Sequence, residues 1–255
     1  MSQKTGSQVQ CNSGNSIKMF DPQRILYEDN HLLVVNKRAG ELVQPDPSGD
    51  PALEEEIKNF LRIRDGKSGN VFLGVVHRID RPVSGAVIFA KTGKALTRLN
   101  EMIKTREISK YYWAITERPP MPESGTLSGY LVRDGRTNKS RIYNKPVPNS
   151  KEARLNYRLL GGSKNYFLIE VELLTGRHHQ IRAQLAAAGC PIRGDLKYGA
   201  ARSNRDGSIS LHSRRVEFLH PVARSGQPRE RLIITAPVPE GDNLWAYFEE
   251  SQSNS

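Results

Sequence analysis

The chain has 255 residues, and 38 Lys and Arg against 27 Asp and Glu leave a formal net charge of +11. This length suits one large domain or two small ones and can bury a real core, and the charge points to an anionic partner, nucleic acid first. No apolar run reaches the ~18–20 residues of a membrane span, the first twenty residues lack a secretory apolar core, and two isolated cysteines, Cys11 and Cys190, make neither a disulfide framework nor a zinc site, which predicts a cytoplasmic protein.

Residues 1–20 are rich in Ser, Gln, Asn and Gly and read as a disordered leader, as do residues 251–255 as a tail; one catalytic-sized domain, 21–250, lies between. Residues 24–36 read as two strands around an Asp29-Asn30 turn. Leu53, Ile57, Phe60 and Leu61 have helical spacing, two β-rich runs follow at 71–79 and 85–91, and Leu96, Leu99 and Ile103 repeat the helical pattern at 94–104. Residues 110–117 are strand-like, and 131–160 is strongly basic, with eight Lys and Arg against Asp134 and Glu152. Phe167, Ile169, Val171 and Leu173 alternate as a half-buried strand that runs into an Ala-rich helix closed by Gly189. Strand-like runs at 209–219 and 231–236 and a helix around 243–250 complete the chain. Hairpins outnumber plausible crossovers, so the expected class is α+β, a mixed, largely antiparallel central sheet with flanking helices.

Three segments carry chemistry. In His77-Arg78-Ile79-Asp80-Arg81-Pro82-Val83-Ser84-Gly85, Asp80 lies between two arginines at the end of an apolar run. Arg78 and Asp80 share a strand face if the extension continues through Ile79. Cationic neighbours favour an ionised carboxylate, which can act as nucleophile, base or metal ligand; the rival reading is an ion pair that stabilises a turn. In Thr175-Gly176-Arg177-His178-His179-Gln180-Ile181-Arg182, cations crowd a strand-to-helix junction, a setting for an anion. Capping and packing at the helix start would equally employ Gln180 and Arg182. Adjacent His residues do not share a helix face and no Cys or carboxylate stands at ligand spacing, so no metal is expected there. In Lys110-Tyr111-Tyr112-Trp113-Ala114, Tyr112 points away from its neighbours and could stack on a base or fill the core. There is no Gly-rich phosphate loop of the Walker or dinucleotide type.

Together these motifs resemble the RluA-type pseudouridine synthases, whose H-R-L-D-R-x-T-S-G signature is close to residues 77–85. The family's K-x-Y-x-A element matches Lys110, Tyr112 and Ala114, and its G-R-x-H-Q-I-R and G-x-P-I-x-G-D elements match from Gly176 through Gly199. Arg38, Val83 and His178 depart from the family pattern, at positions that leave the reacting groups intact. The resemblance runs from about Arg24 to the final helix, leaving no room in this chain for the small N-terminal RNA-binding domain that the family often adds.

The resemblance implies conversion of uridine to pseudouridine in structured RNA, either large-subunit rRNA or tRNA, without cofactor, metal or membrane and by a monomer of one catalytic domain. By motif match Asp80 is the nucleophile, Arg182 its cationic partner, and Tyr112 the residue that stacks on the target base and assists proton removal. Arg78 helps fill the space that the base vacates, Leu211 is an apolar wall, and His77, Arg81, Arg177 and Gln180 complete the substrate contacts. The target uridine must be unpaired or flipped. A non-catalytic RNA-binding or RNA-chaperone protein on the same fold would share the charge but has no use for Asp80, Tyr112 and Arg182 together; a metal-dependent nuclease is a further rival.

Overall fold

Alternating apolar residues divide the strand side chains between two faces of one sheet. The computed structural model describes residues 20–223 and 226–253. Its strands are Ile25–Glu28 (β1), Leu32–Lys37 (β2), Gly74–Val75 (β3), Ser84–Ala90 (β4), Ser109–Thr116 (β5), Ser124–Asp134 (β6), Lys139–Tyr143 (β7), Lys151–Gly162 (β8), Phe167–Leu173 (β9), Leu211–Leu219 (β10) and Arg231–Thr235 (β11). The helices are Leu53–Arg64 (α1), Gly93–Lys104 (α2), Gln180–Ala187 (α3) and Asn243–Ser253 (α4). The main path through the sheet is β1-β2-β4-β10-β5-β9-β8-β6-β7, with β11 on β10 and β3 on β4. Among the described strands β4 and β10 pair in parallel and the rest antiparallel, as the α+β class requires.

Strand β4 is buried along its whole length, and its residues serve both faces. Val87 and Phe89 join Leu33, Val35, Tyr112, Ala114, Ile169 and Val171 in a core shared with α1 and α3. Ala86, Ile88 and Ala90 face the opposite side, where α2 contributes Ala95, Leu99 and Met102. Farther along that side, α4 covers Trp113, Ile115 and Leu168 with Trp245 and Phe248. Local signals support these helices. Glu54, Glu55 and Glu56 occupy the first turn of α1 and Arg62 and Arg64 its last, each complementing the helix dipole. Thr92 caps α2 by accepting the Ala95 N–H at 3.2 Å.

Three boundaries differ from the sequence expectations. The run expected at 71–79 shortens to β3, so Arg78 and Asp80 lie on a loop and do not share a strand face. The ladder stops because the His77 ring takes over: its Nε2 accepts the Ile88 N–H at 3.2 Å. Phe20, placed in the leader, is 3% exposed and packs on Phe60. Helix α4 continues through Ser253, with the Ser251 and Ser253 hydroxyls donating back to the carbonyls of Phe248 and Glu249. The remainder of the leader, with Cys11, and the last two residues of the tail lie outside the described residues. The basic 131–160 segment spans the β6–β7 hairpin and most of β8. No helix among the described residues is long and apolar enough to cross a membrane.

The parallel contact between β4 and β10 depends on Gly85. Its φ is +113°, and a Cβ there would lie 2.3 Å from the Ser213 carbonyl oxygen. Gly85→Ala is therefore expected to cost at least ~3 kcal/mol, because neither the backbone angle nor the adjacent strand can yield cheaply. Urea denaturation of the variant against the parent measures it.

Candidate active site

The Asp80 loop is held through its own carbonyls. Asp80 O accepts the Val83 N–H at 3.0 Å, and Pro82 O accepts the Ile209 N–H at 3.2 Å. Lys37, 1% exposed, spends its three ammonium protons on Arg38 O (2.9 Å), Arg81 O (3.1 Å) and Val83 O (2.7 Å). Burial pushes the Lys37 pKa down to about 7, while Glu41 pulls the other way. These bonds fix the backbone on both sides of Asp80 and leave its carboxylate, 27% exposed, facing a cleft of about 1130 Å³.

Helix α3 brings Arg182 to that carboxylate from 102 residues away, with Nη1 donating to Asp80 Oδ2 at 3.1 Å. The rest of the guanidinium is committed to Asp195: Nε donates to Oδ2 at 2.7 Å and Nη2 to Oδ1 at 2.8 Å. This planar fork fixes the guanidinium in a way that a lysine could not reproduce. Burial works against the charge of Arg182, yet the bonds to Asp195 and then the proximity of Asp80 hold its pKa above the ordinary value. Tyr198 packs on the guanidinium, 5.1 Å from Cζ to the ring centroid.

A second chain of groups reaches Asp80 through His179. The Ser140 N–H donates to Tyr198 Oη at 2.7 Å, and that hydroxyl lies 3.0 Å from His179 Nδ1. With the Tyr198 hydroxyl as donor, the His179 proton sits on Nε2, which is 3.5 Å from Asp80 Oδ2. His179 adopts φ +52°, and this left-handed turn stacks its ring on His178 at 3.8 Å and starts α3. Burial, then Arg182, pushes the His179 pKa down to about 2, so the ring is a neutral donor and not a counter-ion.

All nine sequence-predicted residues line this cleft. Tyr112, 5% exposed, turns toward it while Trp113 joins the core on the opposite face. Burial raises the Tyr112 pKa, with a Ser213 hydrogen bond opposing, so Tyr112 is present as the phenol. Leu211 contributes apolar wall, and Arg78 is exposed at the mouth. Others are partly spent on structure. Arg81 donates to Gly40 O at 2.9 Å and Asp50 Oδ2 at 2.6 Å, and Arg177 Nε donates to Glu152 O at 2.8 Å. Gln180 accepts from Thr175 Oγ1 (2.8 Å) and the Arg177 N–H (3.0 Å) and donates to Arg154 O (3.0 Å). Its amide clamps the loop before α3 to β8, which is the capping alternative left open by the sequence.

Sequence reasoning missed Asp195, Tyr198, His179 and Lys37. Asp195 and Tyr198 stood inside a matched motif, and a buried arginine at 182 needs a bidentate acceptor beyond Asp80, which was a usable signal. Ten Lys and Arg line the cleft against three carboxylates, Asp46, Asp80 and Glu172. Of the basic 131–160 segment, Arg133 and Arg154 reach it, whereas Arg158 pairs with Glu170 at 3.1 Å. Among the described residues no group of three or more His, Cys, Asp or Glu is arranged to hold a metal ion.

A carboxylate fixed in a cationic cleft on a mixed sheet defines the class of protein: an enzyme acting on a polyanion. Residues 31–187 match the model of a family described as RNA pseudouridylate synthase. A ribosomal large subunit pseudouridine synthase D of Xanthomonas campestris is 34% identical over 233 residues, which cover 86% of this chain and 67% of that protein. An uncharacterized RNA pseudouridine synthase of Chloroflexus aurantiacus is 38% identical over 208 residues, covering 80% of this chain and 62% of that one. The chain thus spans about two thirds of the length of these curated relatives. The fold is shared with human RNA Pseudouridylate Synthase Domain Containing 4, at a TM-score of 0.72 and 24% identity over 88% of this chain and 92% of that one. This chain belongs to the RNA pseudouridylate synthase family, the enzymes that isomerise uridine in RNA.

Two outcomes follow from the buried charges. Asp195, 1% exposed, neutralises most of the Arg182 fork, so Asp195→Ala should cost ~3–5 kcal/mol in urea denaturation. His77, His179 and His212 are held by burial at about 3, 2 and 4, against an ordinary value of 6.5. Below that value the unfolded chain binds protons that the folded chain refuses, so their contribution to stability is present above it and lost as pH falls. The melting temperature should therefore drop between about pH 7 and pH 4.5 in a circular dichroism series; a flat profile would contradict neutral histidines.

Proposed function

We propose that this protein converts unpaired or flipped uridines in structured RNA to pseudouridine, with Asp80 as the nucleophile and Arg182 as its cationic partner. The observation that carries this reading is the Asp80 carboxylate at the floor of a cationic cleft, bonded to Arg182 at 3.1 Å. The reaction balances within the substrate. The N1–C1′ bond breaks, the base turns, a C5–C1′ bond forms, the proton on C5 is lost and N1 gains one. No electron acceptor or energy source is needed, and an unprotonated carboxylate can either attack the base or remove a sugar proton.

The neighbouring residues suit such a base. Tyr112 offers a ring face beside Asp80, Leu211 an apolar wall, and the phenol of Tyr112 a proton to share. The Tyr112 hydroxyl acts in proton transfer only through a partner that accepts its proton, since burial disfavours the phenolate. Arg78 at the mouth is placed to enter the gap left by a flipped base. Large-subunit rRNA is the first substrate in this reading, because relatives in Xanthomonas campestris and Xylella fastidiosa bear that name. The protein acts in this reading as a cytoplasmic monomer, with tRNA as the second candidate substrate.

The test is a tritium-release assay on large-subunit rRNA and tRNA transcripts, with EDTA present. Wild-type protein is expected to turn over at least one transcript, and Asp80→Asn to lose at least ~10³-fold while still binding it. Retained turnover in Asp80→Asn would remove Asp80 from the reaction. Binding without turnover in the wild type would favour the RNA chaperone, and strand cleavage restored by metal the nuclease.

A further inference from the structure

We propose that the Lys110 ammonium and the bare backbone at Gly176 form a binding site for one phosphate of the RNA strand that delivers the target uridine. This rests on the RNA reading above. Lys110 lies near the start of β5, two residues before Tyr112, so strand periodicity sends both side chains to the same face, and both line the cleft. Its Nζ stands 3.8 Å from where a Gly176 Cβ would be, and nothing else comes within 4 Å of that position. The glycine thus leaves open space beside the ammonium.

Among the cations of the cleft that are not exposed, Lys110 is the one with no hydrogen-bond or ion-pair partner among the described residues. Lys37 satisfies its ammonium with three carbonyls, and Lys91 bonds Glu28 at 2.6 Å and Asp29 O at 2.7 Å. Among the described residues no carboxylate or carbonyl hydrogen-bonds Lys110 Nζ. Glu172 lines the same stretch, but its carboxylate accepts from Asn156 Nδ2 at 2.8 Å and Tyr111 Oη at 3.5 Å. A partly buried, unpaired ammonium is costly until an anion reaches it. Burial accordingly pushes the Lys110 pKa down. Lys110 makes no bond to Asp80, so its charge is available to the substrate.

The opposite side of the space is rigid. Thr175 N–H donates to Arg154 O at 3.2 Å and Arg177 N–H to Gln180 Oε1 at 3.0 Å, which pins the backbone on both sides of Gly176. Arg106 and Arg177 line the same cleft and add to its cationic character. A phosphate there would accept from Lys110 and anchor the strand while the base reaches toward Asp80 and Tyr112. Single-strand binding by a charged groove beside an aromatic face has this form.

The experiment measures filter binding of a short RNA stem-loop with unpaired uridines across a salt series. Lys110→Met should bind roughly tenfold more weakly at low salt, with a log affinity–log salt slope shallower by about 0.7–0.9, the release accompanying one phosphate contact. Lys110→Arg should restore the slope. Gly176→Ala, at an unstrained φ, puts a methyl against the ammonium and should also flatten the slope. A wild-type slope in Lys110→Met overturns the proposal even if affinity falls, because a contact to a base carbonyl or a purely structural role leaves counterion release unchanged. If Lys110→Met fails to fold by circular dichroism, an unchanged slope in Gly176→Ala overturns it. The slope change can appear in a protein that makes no pseudouridine, so failure of this site and failure of the catalytic reading are separately visible.

Discussion

The site depends on how one buried guanidinium is divided. Arg182 gives two bonds to Asp195 and one to Asp80, and the division is unequal in geometry as well as number. The fork to Asp195 satisfies the structural cost of burying the charge, so the single bond to Asp80 need not hold α3 in place. Asp80 is thereby paired without being enclosed, and its carboxylate stays open to the cleft. A symmetric pair between Arg182 and Asp80 would have been a stronger bond and a poorer site, because both oxygens would be occupied.

The same separation of support from chemistry recurs around the loop. Lys37 ties down carbonyls, Gln180 clamps the turn before α3, and the Ser140–Tyr198–His179 chain sets a proton on the nitrogen nearest Asp80. None of these groups needs to meet the base. They hold positions that a flexible loop would otherwise have to find on each encounter, which is the entropic part of catalysis.

Much of the fold was legible because strand and helix periods leave plain marks. Val171 and Ile169 alternate, Leu53 and Ile57 recur at helical spacing, and both patterns match the faces that the structure buries. The run at 71–79 misled for a definite reason: apolar content predicted a long strand, but His77 uses its ring where a strand would use backbone. Ser251 and Ser253 looked like a polar tail, yet their hydroxyls fold back onto helix carbonyls, a contact that composition cannot show. The site was legible where a family motif pointed to the residues that meet in the cleft, as with Asp80 and Arg182, which the structure brings within 3.1 Å of each other. It was illegible where the role depends on a partner distant in sequence. Nothing in the sequence marks Lys37, because its role depends on carbonyls such as Val83 O, 46 residues away.

The parallel contact of β4 with β10 also bears on how the molecule is made. Ser84 Oγ meets His212 Nδ1 at 2.9 Å across 128 residues, and Asp80 meets Arg182 across 102. Contacts this distant in sequence close large loops and form slowly. On the ribosome, the segment bearing Asp80 emerges well before either partner, with the apolar β4 next to it. A growing chain can pair β4 with β2 and β3 as soon as it emerges, but the edge of β4 that β10 covers stays open until residues 211–219 are made. Arg182 reaches Asp80 from α3 before β10 follows in the chain, so closing the open edge of the central strand comes after the pieces of the site are already made.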